Sequence, residues 1–380
     1  MVALNDIDWI PGPPTWQLDW PKIMADCPWL AELEATPQNP VHHGEGNVLI
    51  HTRMVTEALV GLANWRILPA PERAQLLLAA LLHDIGKPAT TQIEPDGRIT
   101  SHGHARVGAA MARMHLWTNT GLGAPIALHD RERIVGLVRL HGLPIWFLDK
   151  PDLEWAILSA SLVARLDHVA LLAEADARGR TCADQAELLA RIDLFRGWCA
   201  ERECLHTAFA FAADHGRVCY CRKRQSDPGY APYDDTWGDI TILSGIPGSG
   251  KDTWLNSQPS SAPVIALDAI RAEHAIDPQD PQGPVIQIAR ERARELLRRK
   301  QPFVWNATNL MRRIRDPLIE MCLDYGARVR IVYVDATITD ALARNQRRTA
   351  PVPEHVIWQL AAKTEPPDQR EAHVTTWVEM

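Results

Sequence analysis

The chain has 380 residues, 46% of them hydrophobic and 23% charged, enough for two domains with full cores and outside the composition of a disordered chain. Its formal charge of -7 argues against a generic nucleic-acid coat, whose affinity comes from a cationic face that neutralises phosphates, but leaves room for a local basic groove. The seven cysteines form no CxxC pair, with Cys219 and Cys221 separated by one residue and Cys199 and Cys204 by four. That is neither a disulfide framework nor a familiar zinc spacing, and free thiols suit a reducing cytosol. Residues 1–20 lack the basic start and apolar run of a signal peptide, and no stretch approaches the roughly 20 apolar residues of a membrane span. A soluble cytoplasmic protein with no membrane partner is the expectation.

Residues up to about 200 predict an all-α domain. Runs at 71–82 (PERAQLLLAALL), 105–116, 131–140, 153–176 and 183–200 carry apolar residues at helical spacing, with Ala, Leu, Arg and Glu dominating. His51 begins one helical run (HTRMVTEALV), and His83-Asp84 ends another, followed by Gly86 and Lys87. His102, His104, His141 and Asp176 follow in order. Adjacent residues diverge by about 100° around a helix, so His83 and Asp84 meet one ion only where they lie beside it. An unpaired Asp on a core helix would be expensive. Imidazole and carboxylate donors suit a divalent transition metal with positions left open for water and substrate. Such an ion lowers the pKa of a bound water, and Lys87 is placed to draw a phosphate towards it.

The segment 201–238 crowds Cys, His, Tyr, Asp, Pro and Gly, and reads as a connector with turns, giving a boundary near 235–240. From 239 to 380 the pattern alternates. Short β-rich runs at 239–244, 263–267, 302–306 and 329–334 are separated by helical runs at 285–300, 312–325 and 338–348. Strand–helix alternation implies an α/β domain with a parallel sheet covered by helices.

Residues 245–251 read GIPGSGK, after an apolar strand and before a helical run, the context that the P-loop signature requires. Gly245, Gly248 and Gly250, with Pro247 and Ser249 between them, let several N–H groups point into one concavity that favours phosphate, and Lys251 adds a point charge. ATP with magnesium is the implied ligand. Asp252 stands where Ser or Thr usually touches the magnesium, and Thr253 comes one later, so either Asp252 meets the metal through water or Thr253 shares that duty. Asp268 and Arg271, three apart at the start of a helix, lie on one face. Asp268 could take the proton from an attacking hydroxyl while Arg271 holds an acceptor phosphate; a surface ion pair is the plainer alternative. The stretch 306–309 (NATN) ends a strand and includes Asn309, and 344–348 (RNQRR) puts Arg344 and Arg348 one helical turn apart. Those arginines could close over ATP as a lid, against the alternative of a solvated basic face. Arg312, Arg313 and Arg315 form a further basic patch or a wet helix face.

Taken together, GSGKDTW, the DxxR pair, the xTN strand end and RNxxRR resemble the 5′-OH polynucleotide kinases of phage and repair-enzyme type, over roughly 239–380. The resemblance implies Asp268 as general base, Arg271 on the acceptor's 3′-phosphate, Asn309 and Arg312 towards the polynucleotide, and Arg344 and Arg348 on the ATP phosphates. The H…HD…D pattern with HDxGK resembles the HD superfamily of metal-dependent phosphohydrolases over roughly 40–200. GEGNVLIHT, LLHDIGKP and EADARGR are most similar to the HD domains of bacterial tRNA CCA-adding enzymes. That resemblance implies His51, His83, Asp84 and Asp176 as metal ligands, with Asp167 competing for the last place. It implies His104 and His141 for a second metal, with manganese, nickel or cobalt as candidate ions, and His43 and Glu45 contacting substrate or orienting ligands. The fusion resembles the bacterial HD-Pnk enzymes, which implies healing of both sides of an RNA (or DNA) break: 2′,3′-cyclic, 2′ or 3′ phosphates removed by the first half, 5′-OH ends phosphorylated by the second, and a partner RNA ligase. Two other classes stand beside it: a nucleotide-metabolism enzyme with HD nucleotidase and small-molecule kinase activities, and a sensor whose HD module controls an ATPase.

Overall fold

The apolar helical spacing of the first half and the strand–helix alternation of the second give two compact units, Met1–Ala210 and Phe211–Met380. The computed structural model describes residues 4–118, 122–259 and 261–380.

The first unit is built from α1 (Val48–Gly61), α2 (Ala70–Leu82), α3 (His104–Thr118), α4 (Leu128–Leu140), α5 (Leu166–Arg178) and α6 (Gln185–Glu201), with shorter helical turns between them. Asn47 caps α1 by accepting from the Ile50 N–H, the side-chain bond that a helix start lacks otherwise. The run expected as one helix over 153–176 is broken. Leu153–Ser161 and α5 meet at 108°. The hydroxyls of Ser159 and Ser161 turn back on carbonyls three residues earlier, and Ser161 also accepts the Phe209 N–H, local bonds that compete with a continuing helix. The bend leaves α5 free to pack on α1, α2 and α6. A short hairpin pairs Gln92–Ile93 with Ile99–Thr100. Among the described residues no single helix is long and apolar enough to cross a membrane.

The second unit begins with α7 (Asp214–Cys221), inside the segment expected to be a connector. It is tied down because Arg217 and Arg222 donate to the carbonyls of Gln369, Glu371, Ala372 and His373. Then come β1 (Asp239–Ser244), α8 (Lys251–Ser257), β2 (Val264–Ala266), α9 (Leu267–Glu273), α10 (Gly283–Arg298), β3 (Val304–Asn306), α11 (Arg312–Asp324), β4 (Arg328–Asp335), α12 (Ile338–Gln346), α13 (Glu354–Ala362) and β5 (Val374–Glu379). The strands form one parallel sheet in the order β2-β3-β1-β4-β5. From β1 the chain crosses towards β2, and from β4 it leaves towards β5, on the opposite side. The loop after β1 therefore opens at the point where the winding reverses, the usual place for a ligand crevice in such sheets. Helix α12 stops at Gln346, two residues earlier than the sequence suggested. Asn345 turns its side chain onto both backbone groups of Val352, and Pro351 and Pro353 follow, so Arg348 sits in the turn beyond the helix.

Candidate active sites

Helix ends assemble the first site. His51 comes from the first turn of α1, His83 and Asp84 from the two positions after α2, and Lys87 opens the short helix behind them. His104 is the first residue of α3, His141 follows α4 directly, and Asp176 lies in the last turn of α5. His51, His83, Asp84, Lys87, His141 and Asp176 are buried. His51 Nε2 lies 3.1 Å from Asp176 Oδ1 and 3.7 Å from Asp84 Oδ2. His83 Nε2 is 3.2 Å from that same Asp84 oxygen, and His104 Nε2 is 3.4 Å from the other one, Oδ1. His104 and His141 face each other at 3.3 Å through their Nε2 atoms. These residues make two trios, His51–His83–Asp176 and Asp84–His104–His141, each with donor atoms within 4.8 Å of one another, and His51 joins His43 and Glu45 in a third. Asp84 turns one oxygen towards each of the first two.

The orientation of the rings has one cause repeated. His83, His104 and His141 each place Nδ1 at 2.7–2.9 Å from the carbonyl three residues earlier, Ala80, Ser101 and Val138. A carbonyl accepts only, so Nδ1 carries a hydrogen in each ring and Nε2 is turned towards the interior. His51 differs: its Nδ1 lies 2.8 Å from Glu45 Oε1, and its Nε2 donates to Asp176 Oδ1 at 3.1 Å, the position that an ion would take over. Buried His83 Nε2 has no hydrogen-bond partner, and such an orphaned nitrogen beside two carboxylates fits a divalent ion.

Charge follows the same geometry. Burial alone would raise the Asp84 carboxyl, but Lys87, His83 and His104 outweigh it and hold it well below its usual range. Burial opposes the charged form of Asp176 too, and Arg180, His51 and His83 reverse the effect. Burial, reinforced by His83 and His104, takes His141 down to about 3, so it is neutral and able to ligate. Lys87 sits 2.7 Å from Asp84 and donates to Gln38 at 2.6 Å. Arg180 donates to Asp176 at 2.6 Å.

Gly86 is what lets α3 come this close. A Cβ there would stand 2.2 Å from the His104 carbonyl oxygen and 2.6 Å from the Gly108 nitrogen.

The second site is the loop after β1. Gly245, Gly248 and Gly250 have φ of 150°, 81° and 103°, values that L side chains rarely adopt. At Gly248 a Cβ would also meet the Ala341 carbonyl of α12 at 2.2 Å. The half-buried Lys251 donates from its ammonium to the carbonyls of Gly245 and Ile246 at 2.7 and 2.9 Å. Burial lowers it to about 8, against the opposing pull of Asp252. Pro247 and Ser249 are buried within the loop, whereas Asp252 and Thr253 are exposed. Arg344 donates to the Ser249 carbonyl at 3.3 Å. Asp268 is hydrogen-bonded by Arg271, and Arg348 lies 3.7 Å from its other oxygen.

Residues 48–172 match the family model described as HD domain, and residues 240–367 match the model described as AAA domain. The chain joins an HD domain to a P-loop kinase-like domain. In the curated proteins, its N-terminal region resembles a CC-adding tRNA nucleotidyltransferase of Thermus thermophilus, 40% identical over 115 residues, and an A-adding tRNA nucleotidyltransferase of Deinococcus radiodurans, 48% identical over 71 residues. Those matches cover 30% and 18% of this chain and only 24% and 15% of the relatives. Among solved structures a gluconokinase from Sinorhizobium meliloti aligns with 38% of this chain and 83% of its own, at 22% identity and a TM-score of 0.29.

Asp167, the competitor of Asp176, is engaged away from the HD trios by Arg165 at 2.6 Å and His206 at 3.0 Å. His102 is exposed. In the P-loop domain, Asn309 is not free to meet a polynucleotide. Its φ is 44°, its side chain is buried, and its amide donates to the Leu243 carbonyl at 2.7 Å. With the Gly245 N–H donating to Thr308 O at 2.9 Å, it pins the loop to the end of β3. Arg315 likewise leaves the expected basic patch. It is buried in a double hydrogen bond with Glu371, both at 2.7 Å, since an unpaired buried guanidinium would be costly. Arg312 is partly exposed and 3.9 Å from Asp316, and Arg313 is exposed. Gln38 carried no signal in the sequence, and Arg180 lay in the EADARGR segment without a role of its own. Glu45 did, and its role emerges from three contacts: His43 at 2.9 Å, His51 at 2.8 Å and the Thr181 N–H at 2.8 Å.

Proposed function

We propose that this chain is a bifunctional RNA end-healing enzyme. Its HD domain removes 2′,3′-cyclic, 2′ or 3′ phosphates, and its P-loop domain transfers the γ-phosphoryl group of ATP to a 5′-OH polynucleotide end. The observation that carries the kinase half is the reach of two neighbouring arginines: Arg344 touches the P-loop carbonyl of Ser249 while Arg348 faces Asp268. One short stretch of chain thus spans the donor loop and the proposed base.

In the P-loop domain the glycine nest and Lys251 hold the β- and γ-phosphates. Magnesium bound with ATP neutralises charge on those oxygens. Asp268 takes the proton as the 5′-hydroxyl oxygen bonds to the γ-phosphorus, the bond to the bridging oxygen breaks, and ADP leaves. Arg344 and Arg348 offset charge on the transferring group, and Arg271 holds a phosphate of the acceptor.

In the HD domain, His51, His83, Asp84 and Asp176 would hold one divalent ion, and His104 and His141, with the second oxygen of Asp84, another. Such ions make a bound water acidic enough to attack a phosphate ester at neutral pH. Lys87 and Arg180 are the cations beside the trios, and they attract the ester's phosphate. Curated relatives of this region are by name tRNA nucleotidyltransferases, which favours an RNA phosphate over a free metabolite.

The test gives the full-length protein 5′-OH RNA with ATP and magnesium, and separately a 2′,3′-cyclic phosphate with manganese, nickel or cobalt. Lys251→Ala abolishes only the first activity and Asp84→Ala only the second. If Asp84→Ala removes both with the fold intact, or if a small metabolite accepts phosphate while oligonucleotides do not, the reading is wrong.

A further inference from the structure

In P-loop enzymes the magnesium is held by two side chains, a Ser or Thr after the P-loop Lys and an Asp supplied from elsewhere in the site. In this chain the residue after Lys251 is Asp252, and β3, the strand beside β1, ends in Asn306. Each residue alone looks like a departure. Together they do not, because the amide of Asn306 donates to Asp252 Oδ1 at 2.8 Å across 54 residues of sequence.

We propose that the two ligand types have exchanged places: Asp252 is the charged ligand of the nucleotide-bound magnesium and Asn306 is its neutral partner. The inference rests on the kinase reading above and names the residues that serve it. Three observations support it. Two other carboxylates of this domain are already engaged, Asp268 by Arg271 and Arg348 and buried Asp335 by the Tyr333 hydroxyl at 3.0 Å. Asp252 is exposed beside Lys251, and among the described residues no cation lies within ion-pair distance of it. Next, the hydrogen bond consumes one Asn306 N–H and one Asp252 oxygen, leaving Asp252 Oδ2 and Asn306 Oδ1 as acceptors; magnesium takes oxygen ligands. Thr253, the alternative, is turned about 100° around the helix from Asp252. Finally, the exchange keeps the site at one negative charge. Two carboxylates at this separation would repel each other and the ATP phosphates.

The experiment measures ADP binding to the full chain by calorimetry, with magnesium and with chelator, in the wild type and in Asp252→Ala, Thr253→Ala, Asn306→Asp and the double variant Asp252→Ser with Asn306→Asp. Manganese bound with ADP, followed by its electron paramagnetic resonance spectrum, reports the ligands independently of turnover. In the wild type magnesium tightens ADP binding. Asp252→Ala loses at least tenfold of that gain while metal-free binding holds. Asn306→Asp weakens metal-free ADP binding, and the double variant regains the magnesium effect. The inference is overturned if the gain survives Asp252→Ala, if Thr253→Ala removes it instead, or if the double variant is no better than Asp252→Ala. A wild type that binds no ADP under either condition overturns the kinase reading along with it. Thermal melts of each variant separate these losses from unfolding.

Discussion

His51 Nε2 lies 3.1 Å from Asp176 Oδ1, although the two residues are 125 positions apart. Both are buried, and Asp176 also binds Arg180. Removing a carboxylate from such a centre leaves the remaining charges uncompensated, so Asp176→Asn, which keeps the shape, is the informative change. Bound divalent metal, measured by elemental analysis of the purified protein, should fall. Phosphoesterase activity should fall by at least about 100-fold, while phosphoryl transfer by the other domain continues.

Glu45 touches no other proposed ligand than His51, yet it fixes that ring through Nδ1 while the Thr181 N–H anchors its other oxygen. Burial disfavours its charge, but His43, His51 and that N–H together hold the carboxyl far below the usual range. Glu45→Gln should weaken metal binding roughly 10- to 100-fold, as loss of an outer partner of a metal histidine does. A metal titration followed by calorimetry checks it. An unchanged affinity would leave Glu45 a purely structural residue.

Gly86 has an ordinary φ of -79°, so its replacement acts through space alone. In Gly86→Ala the new methyl meets the His104 carbonyl, and α3 has to move away from Asp84. The expected loss is roughly 2 to 3 kcal/mol of stability, read from chemical denaturation, together with a loss of metal affinity.

Asp268 is exposed and held by two arginines, so its removal should cost chemistry more than structure. Asp268→Asn is expected to slow phosphoryl transfer on the order of 100- to 10,000-fold with ATP affinity nearly unchanged. Turnover and nucleotide binding, measured on one preparation, decide between a base and a surface ion pair.

His373 gives the second unit a pH dependence of its own. Its Nδ1 accepts the Val329 N–H at 3.0 Å, so its Nε2 carries the hydrogen towards His215 Nδ1 at 3.0 Å. Burial, with Arg328 and His215, lowers it to about 4 from the ordinary 6.5. A base with a depressed folded value stays neutral while the unfolded chain takes up a proton. Stability is therefore full above 6.5 and declines as pH falls towards 4, by at most about 3 kcal/mol. Denaturation midpoints at pH 7 and pH 5 should show this slope, and His373→Gln should flatten it.

Much of both sites could be read from local chemistry. A charged pair closing an apolar helix has to be compensated, which singled out His83-Asp84, and a glycine loop with Lys251 after an apolar strand has few other uses. The first four strands of the sheet were legible for the same reason, since strands covered on both faces need continuous apolar runs. Edge strand β5 was not, because its residues before Glu379 are only half-buried and carry no such run. Nor was α7, whose hold on the unit comes from arginines bonding carbonyls about 150 residues away. Tertiary structure alone put Arg180 on Asp176 and made Asn309 and Arg315 buried fasteners, while Asp176, preferred to Asp167 from its DARGR segment, and Glu45 were named from the sequence and found beside His51. Sequence determines which donors and charges are available. Which of them meet depends on close approaches such as that at Gly86, and these depend on the packing of the whole domain.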